Sequence, residues 1–380
     1  MENKNNRRGF LKKATVVTSG GLLAATAAFT FKSESENHQE TKDSMPVIKR
    51  IQPLGFQWET QDPFLFCVHH EDAYPKGNEK QGPAASLAGR SLGQDFLIKD
   101  GWRMYHGKNV PGFPGHPHRG FETITVVREG MVDHTDSTGA SGRYGNGDVQ
   151  WMTSGKGVQH AEMFPLVKVN EDNPLELFQI WLNLPKKDKF VEPHFKMLWA
   201  ESIPKYEHID ETGKVSIEVI AGKVGEEKAP TPPPNSWAFS EENDVAVWNI
   251  KMDKSAKWTL PKAKEGVNRT IYFYKGNELK IEGETLGNYH SADVRTDVDL
   301  VIESGAEESH ILILQGKPIG EPVVQHGPFV MNTKEEIRQA FVDYQNTQFG
   351  GWPWSEPGPV HPRTKGRFAE HADGKLEDKS

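Results

Sequence analysis

The run His116-Pro117-His118-Arg119-Gly120-Phe121-Glu122-Thr123, followed by Gly147-Asp148-Val149-Gln150-Trp151-Met152-Thr153 and Gly157-Val158-Gln159-His160-Ala161-Glu162-Met163, sets the fold expected of this 380-residue chain. Residues i and i+2 of a strand point to one face of its sheet. His116 with His118, and His160 with Glu162, therefore each put two ligand-competent side chains on one side. The 42 residues from His118 to His160 leave room for several intervening strands, so two pairs lining one barrel would meet across its interior. Parity carried on through 118, 120 and 122 places Glu122 on the ligand side, as a reserve ligand or a partner that orients a histidine. Arg119 and Gln150 are close by in sequence, with loop or outward placements equally open.

Working outward, strand-like segments recur at Phe121 to Arg128, Val149 to Thr153, Leu177 to Leu184 and Val215 to Ala221, separated by Gly, Asn and Asp, the rhythm of a sandwich or barrel. With 36 glycines, 25 prolines, 19 phenylalanines and 10 tryptophans, the composition favours a turn-rich β protein over a helical bundle. The run Glu226-Glu227-Lys228-Ala229-Pro230-Thr231-Pro232-Pro233-Pro234 reads as a stiff linker. The rhythm then resumes at Val245 to Met252, Thr270 to Tyr274, Leu279 to Glu282 and Ile311 to Leu314. A first domain over 46–225, a linker over 226–236 and a second domain over 237–350 are thus expected.

Thr333 with Glu336 makes a capping box, and Ile337, Phe341, Tyr344 and Phe349 follow as an apolar stripe up to Gly350-Gly351, which predicts one helix packed on a sheet. The tail 351–380 carries no fold signal, and His361 and His371 within it are expected to be solvated.

Forty-five basic against 53 acidic residues give a net charge of −8, which argues against nucleic acid as a partner. Cys67 is the one cysteine, so an internal disulfide, a thiolate zinc cluster and an iron–sulfur site are excluded. By default it is a small buried hydrophobe, although a redox-sensitive thiol is a second reading. Any metal must be held by histidine and carboxylate. Residues 1–28 have a basic head and an apolar, small-residue run too short to span a bilayer securely, and read as a signal peptide. Its head, Asn6-Arg7-Arg8-Gly9-Phe10-Leu11-Lys12, resembles the twin-arginine export motif, with cleavage points at Ala24 to Ala28. Export through the twin-arginine translocase to a bacterial periplasm is expected, followed by a flexible spacer over 29–45. Losing residues 1–28 removes five basic residues and one acidic, which leaves the remaining chain near −12.

Three imidazoles and a carboxylate suit Fe(II), Mn, Ni, Co, Cu or Zn, and four protein ligands on an octahedral ion leave positions free for substrate, dioxygen or water. The segments HPHRGFET and GDVQWMTSGKGVQHAEM resemble the pirin family of the cupin superfamily, as do Asp62-Pro63-Phe64-Leu65 upstream and Gly320 to Thr333 downstream. The resemblance implies an all-β bicupin, two jelly-roll cupin barrels facing each other, with a C-terminal α-helix. It places the metal ligands on His116, His118, His160 and Glu162, with Glu122 beside them and Fe(II) as the first choice of ion. The second barrel has no His-x-His pair, and its His290 and His310 stand apart, so it is expected to be metal-free, with Trp248, Trp258 and Tyr272-Phe273-Tyr274 as its core.

Some pirin-like proteins resemble quercetinases, which open flavonols with dioxygen and release carbon monoxide. Such a reading makes Glu162 the base for the flavonol 3-hydroxyl, a small phenolic compound and dioxygen the partners, and a monomer the working form. Other family members are non-enzymatic regulators that bind proteins, and a metal-holding sensor without turnover also stands open.

Overall fold

The β-branched and aromatic segments become antiparallel strands, since each can bury at least one face. A computed structural model describes residues 45–379 of the chain. The leader over 1–28, and the spacer over 29–45 apart from Met45, lie outside the described residues. Four principal sheets form two sandwiches. In the first, a six-stranded sheet runs His194–Leu198, Val149–Thr153, Phe121–Glu129, Asn173–Asn183, Phe64–Tyr74, Gln57–Trp58. It faces a second sheet ordered Leu376–Asp378, Phe368–Glu370, Ser141–Gly145, Met131–Asp136, Val158–Met163, Gly112–His118. In the second sandwich a seven-stranded sheet, Ile48–Pro53 through Lys205–Asp210, faces a four-stranded one built on Lys257–Leu260 and Leu300–Ser304. Lys334–Thr347 is the single α-helix among the described residues, and it opens on the expected capping box of Thr333 and Glu336. No helix among these residues is long and apolar enough to cross a membrane.

Three apolar clusters hold the sandwiches. Val215, Trp248, Trp258 and Phe273 belong to the interior of the second sandwich, and Tyr105, Val127, Tyr144 and Leu177 to that of the first. Between them, Trp58, Ile124, Val126, Trp151 and Phe178 meet Val247, Tyr272, Tyr274 and Leu312. Each such side chain, fully buried, stabilises by about 1.5–3 kcal/mol before conformational entropy is charged. Tyr272 and Tyr274 thus belong to the joint between the two halves, while Phe273, one residue out of phase, fills the second core. Cys67 lies fully buried in the same joint, where burial pushes its thiol well above the ordinary range.

The chain divides differently from the 225/226 boundary expected at the proline run. The strands Lys205–Asp210 and Gly213–Ala221 pair with Ala246–Met252 in the second sandwich. Ile48–Pro53, from the start of the described chain, pairs with His290–Val294 there. The proline run is therefore a loop within the second sandwich, since a stretch without backbone donors ends a strand wherever it falls. The tail also differs from expectation: Phe368–Glu370 pairs with Ser141–Gly145, extending the sheet that carries the histidines. His361 is mostly buried, with its backbone N–H donating to Asp133 Oδ2 at 2.7 Å.

Candidate metal centre

Two neighbouring strands carry the histidines. Gly112–His118 pairs directly with Val158–Met163, with His116 opposite His160, so the two ligand pairs lie side by side instead of meeting across the barrel. The intervening strands go to the neighbouring positions and the opposite sheet. A register shift between Phe113 and His116 turns the strand so that its imidazoles reach the interior. Ring centroids are 4.8 Å apart for His116 and His118, 4.5 Å for His116 and His160, and 4.9 Å for His118 and His160. One ligand nitrogen from each lies within 4.8 Å of the others.

Glu162 sits at the edge of this trio, with Oε2 3.6 Å from His160 Nε2. Thr125 Oγ1 donates to its Oε1 at 2.8 Å and Gln179 Nε2 to its Oε2 at 2.7 Å, which aims the carboxylate. Burial raises its pKa against the pull of those donors.

The donor set fits a transition-metal ion. His116 donates Nδ1–H to the Pro114 carbonyl at 3.0 Å, which leaves Nε2 as a lone pair. Both ring nitrogens of His160, and Nδ1 of His118, are buried with no hydrogen-bond partner. Buried polar atoms are rarely left so, and a shared cation would satisfy one nitrogen of each ring. Burial lowers the His116 pKa to about 4, with the Pro114 carbonyl opposing, and puts His118 and His160 well below the usual imidazole range. All three are therefore neutral near pH 7, the form that ligates.

Glu122 is elsewhere. Gly120, at φ +88°, separates the ligand strand from Phe121–Glu129, and a Cβ there would lie 2.1 Å from the Val330 carbonyl. That turn resets the parity: Phe121 packs beside His118 and Thr125 bonds Glu162, while Glu122 points into the joint between the sandwiches. There its carboxylate accepts from Thr153 Oγ1 at 2.6 Å and Ser236 Oγ at 2.5 Å. Arg119 faces away as well, pairing with Asp343 of the C-terminal helix at 2.6 Å.

Sequence reasoning passed over His134. It is fully buried, its ring 5.5 Å from that of His160, stacked on Phe195 and 3.2 Å from Asp136. The alternation His134-Thr135-Asp136 was a usable signal, being the same period-two pattern as the ligands. Gln150 approaches His134 Nδ1 at 3.5 Å, one layer from the cluster. His310 of the second sandwich is taken up by Glu308 at 2.8 Å, and among the described residues the three imidazoles are the one cluster suited to a metal.

A cavity of about 180 Å³ opens beside the cluster, with His116, His118 and Glu162 on one wall and Phe66, Phe113 and Trp181 among the others. Two sandwiches of this build, with ligands on paired strands of the first, define a bicupin. The chain matches the family model described as "Pirin" over residues 57–182 and that described as "Pirin C-terminal cupin domain" over 247–350. Pirin of Homo sapiens is 36% identical over 265 residues, covering 67% of this chain and 82% of that protein. Pirin-1 of Arabidopsis thaliana is 38% identical over 245 residues, covering 63% and 78%. The crystal structure of a quercetin 2,3-dioxygenase from Acinetobacter baumannii superposes with a TM-score of 0.63 at 26% identity, covering 81% of this chain and 99% of that one. The chain belongs to the pirin family.

Proposed function

We propose that this protein is an exported, metal-dependent dioxygenase of the quercetinase type, acting on flavonols or related phenolic compounds. The observation that carries the reading is an aromatic-walled cavity lined by His116, His118 and Glu162, the two imidazoles clustered with that of the fully buried His160. His116, His118 and His160 would hold the ion, Fe(II) first among the candidates, with Glu162 beside them. When bound, such an ion supplies Lewis-acid and one-electron chemistry toward an enolic ligand and dioxygen.

The chain supplies positioning, a base and dryness. Glu162, its pKa raised by burial, accepts the proton of a substrate hydroxyl, while Thr125 and Gln179 fix its orientation. Phe66, Phe113, Phe164 and Trp181 exclude water and offer ring faces. Support comes also from the likeness to a structure described as a quercetin 2,3-dioxygenase. Export rests on the Arg7-Arg8 motif, and replacing both by Lys should leave the protein in the cytoplasmic fraction.

The cavity, at about 180 Å³, is smaller than the roughly 300–1,000 Å³ of pockets that enclose drug-sized ligands. It favours a single ring, or the chelating end of a flavonol with the rest in the mouth, and it keeps a second reading in view: a metal-holding sensor or regulator without turnover. One experiment separates the two. The mature protein, loaded in turn with Fe, Mn, Ni, Co and Cu, is mixed with a flavonol while oxygen uptake and near-ultraviolet absorbance are followed. Oxygen consumption with bleaching is expected; full loading with neither would discard the dioxygenase.

A further inference from the structure

Across the cavity from the metal ligands stands a histidine outside the machinery described so far. His70 lines the same cavity and is 4% exposed. Its ring lies 5.9 Å from that of Phe113, which in turn lies 6.3 Å from His116. His70 Nδ1 is 2.8 Å from the hydroxyl of Tyr105, and that hydroxyl donates to Asp72 Oδ2 at 2.6 Å. Asp72 is clamped in turn by Arg103, Nε to Oδ1 at 2.9 Å and Nη2 to Oδ2 at 3.0 Å.

The chain of bonds has one direction. Arg103 only donates, so Asp72 accepts. The single Tyr105 proton goes to Asp72, so the Tyr105 oxygen must accept from His70 Nδ1–H. That settles the tautomer, and Nε2 of His70 is left as a bare lone pair with no partner among the described residues. Tyr105 is held in the left-handed region at φ 56°, buried, and bonded in both backbone directions to Asp95. A non-glycine residue kept there is strained and persists when its surroundings demand it.

We propose that His70 is a specificity-determining residue: its Nε2 accepts a hydrogen bond from a ring hydroxyl of the ligand, so that the pocket selects hydroxylated aromatic compounds over bare ones. This deepens the substrate side of the reading above and rests on the cavity being a ligand site. Burial, and then the nearby Arg103, lower the His70 pKa to about 3, so the ring stays an acceptor throughout the neutral range. A ligand without the hydroxyl would leave a buried acceptor unpaired, a loss of about tenfold to a hundredfold in affinity.

The test is binding without turnover. The mature chain, loaded with Zn(II) and kept free of oxygen, is titrated with two probe pairs, 2-naphthol against naphthalene and quercetin against 3-hydroxyflavone. Quenching of tryptophan fluorescence reports binding, since Trp181 lines the cavity. The wild type is expected to favour the more hydroxylated member of each pair by at least about tenfold. His70→Phe should remove that margin while holding the bare ligand, and His70→Gln, which retains an acceptor oxygen, should recover part of it. In ¹⁵N-labelled wild-type protein, the His70 Nε2 resonance should move with 2-naphthol and stay still with naphthalene. A wild type without the margin, an unmoved resonance, or a folded His70→Phe that keeps the full margin would each overturn the inference. Should the margin vanish in His70→Phe while no flavonol is ever oxygenated under any metal, His70 keeps its role and the dioxygenase reading falls alone.

Discussion

Glu122 sits between the hydroxyls of Thr153 and Ser236, fully buried in the joint between the sandwiches. Burial raises its pKa from the ordinary 4.5 to about 7, with those hydroxyls opposing. Between these values the folded chain keeps a proton that the unfolded chain releases, so unfolding becomes easier as pH climbs. The stabilisation is complete below about pH 4.5 and is lost on rising through about pH 7, a change on the order of 3 kcal/mol. Glu122→Gln has no proton to lose, so its melting temperature should decline less than that of the wild type from about pH 5 to 8. Calorimetry on both proteins decides, and parallel pH curves would refute the assignment. At the cluster, His160→Ala and Glu162→Gln should each lower metal content by at least about tenfold while far-ultraviolet circular dichroism stays native, because the apolar cores close without the ion. Collapse of both variants would recast the centre as structural. The histidines were legible in the sequence because alternation is local, whereas Glu122 was misplaced because one glycine turn reverses the parity of everything after it.

At the scale of elements, the segment after the helix acts as a strap. Trp354 Nε1 donates to the Asp136 carbonyl at 2.8 Å, Gly115 N–H beside His116 donates to the Pro357 carbonyl at 2.6 Å, and Phe368–Glu370 joins the ligand-bearing sheet. Under it Arg143 makes a two-pronged pair with Asp133 at 2.6 and 2.7 Å and donates to the carbonyls of His361, Pro362 and Lys365. Asp133→Ala would strand a buried guanidinium, a cost of about 3–5 kcal/mol. Its melting temperature should fall by several degrees, and limited proteolysis should cut first within 351–379; an unchanged melting curve would show the strap to be incidental. The helix was readable from its cap and stripe, both held within a few residues. The strap was not, because its polar, proline-rich sequence becomes structure only against Asp133, Arg143 and Gly115, all distant in the chain.

Across the whole molecule, the six-stranded sheet of the first sandwich is covered on both faces, and Phe121–Val127 is buried at every position. Trp58 stacks on Tyr272 at 5.1 Å across the joint, and Ile48–Pro53 crosses over to complete the second sandwich. Two halves so joined should unfold in one transition. Tyr272→Ala would open the joint at a cost of about 3–5 kcal/mol, the range for large aromatic truncations. Calorimetry should show a single peak in the wild type that moves down in the variant; two separate peaks in the wild type would contradict the shared core.

Composition and local patterning determined an all-β chain, a capped C-terminal helix and the two ligand pairs His116 with His118 and His160 with Glu162, since each pattern is held within a few residues. Tertiary structure alone decided that the ligand strands are neighbours, that the proline run lies inside the second sandwich, that Glu122 turns toward the joint and that His70 lines the cavity. Strand partners and buried hydrogen-bond chains are chosen by which distant surfaces can be covered together, and no short segment carries that information.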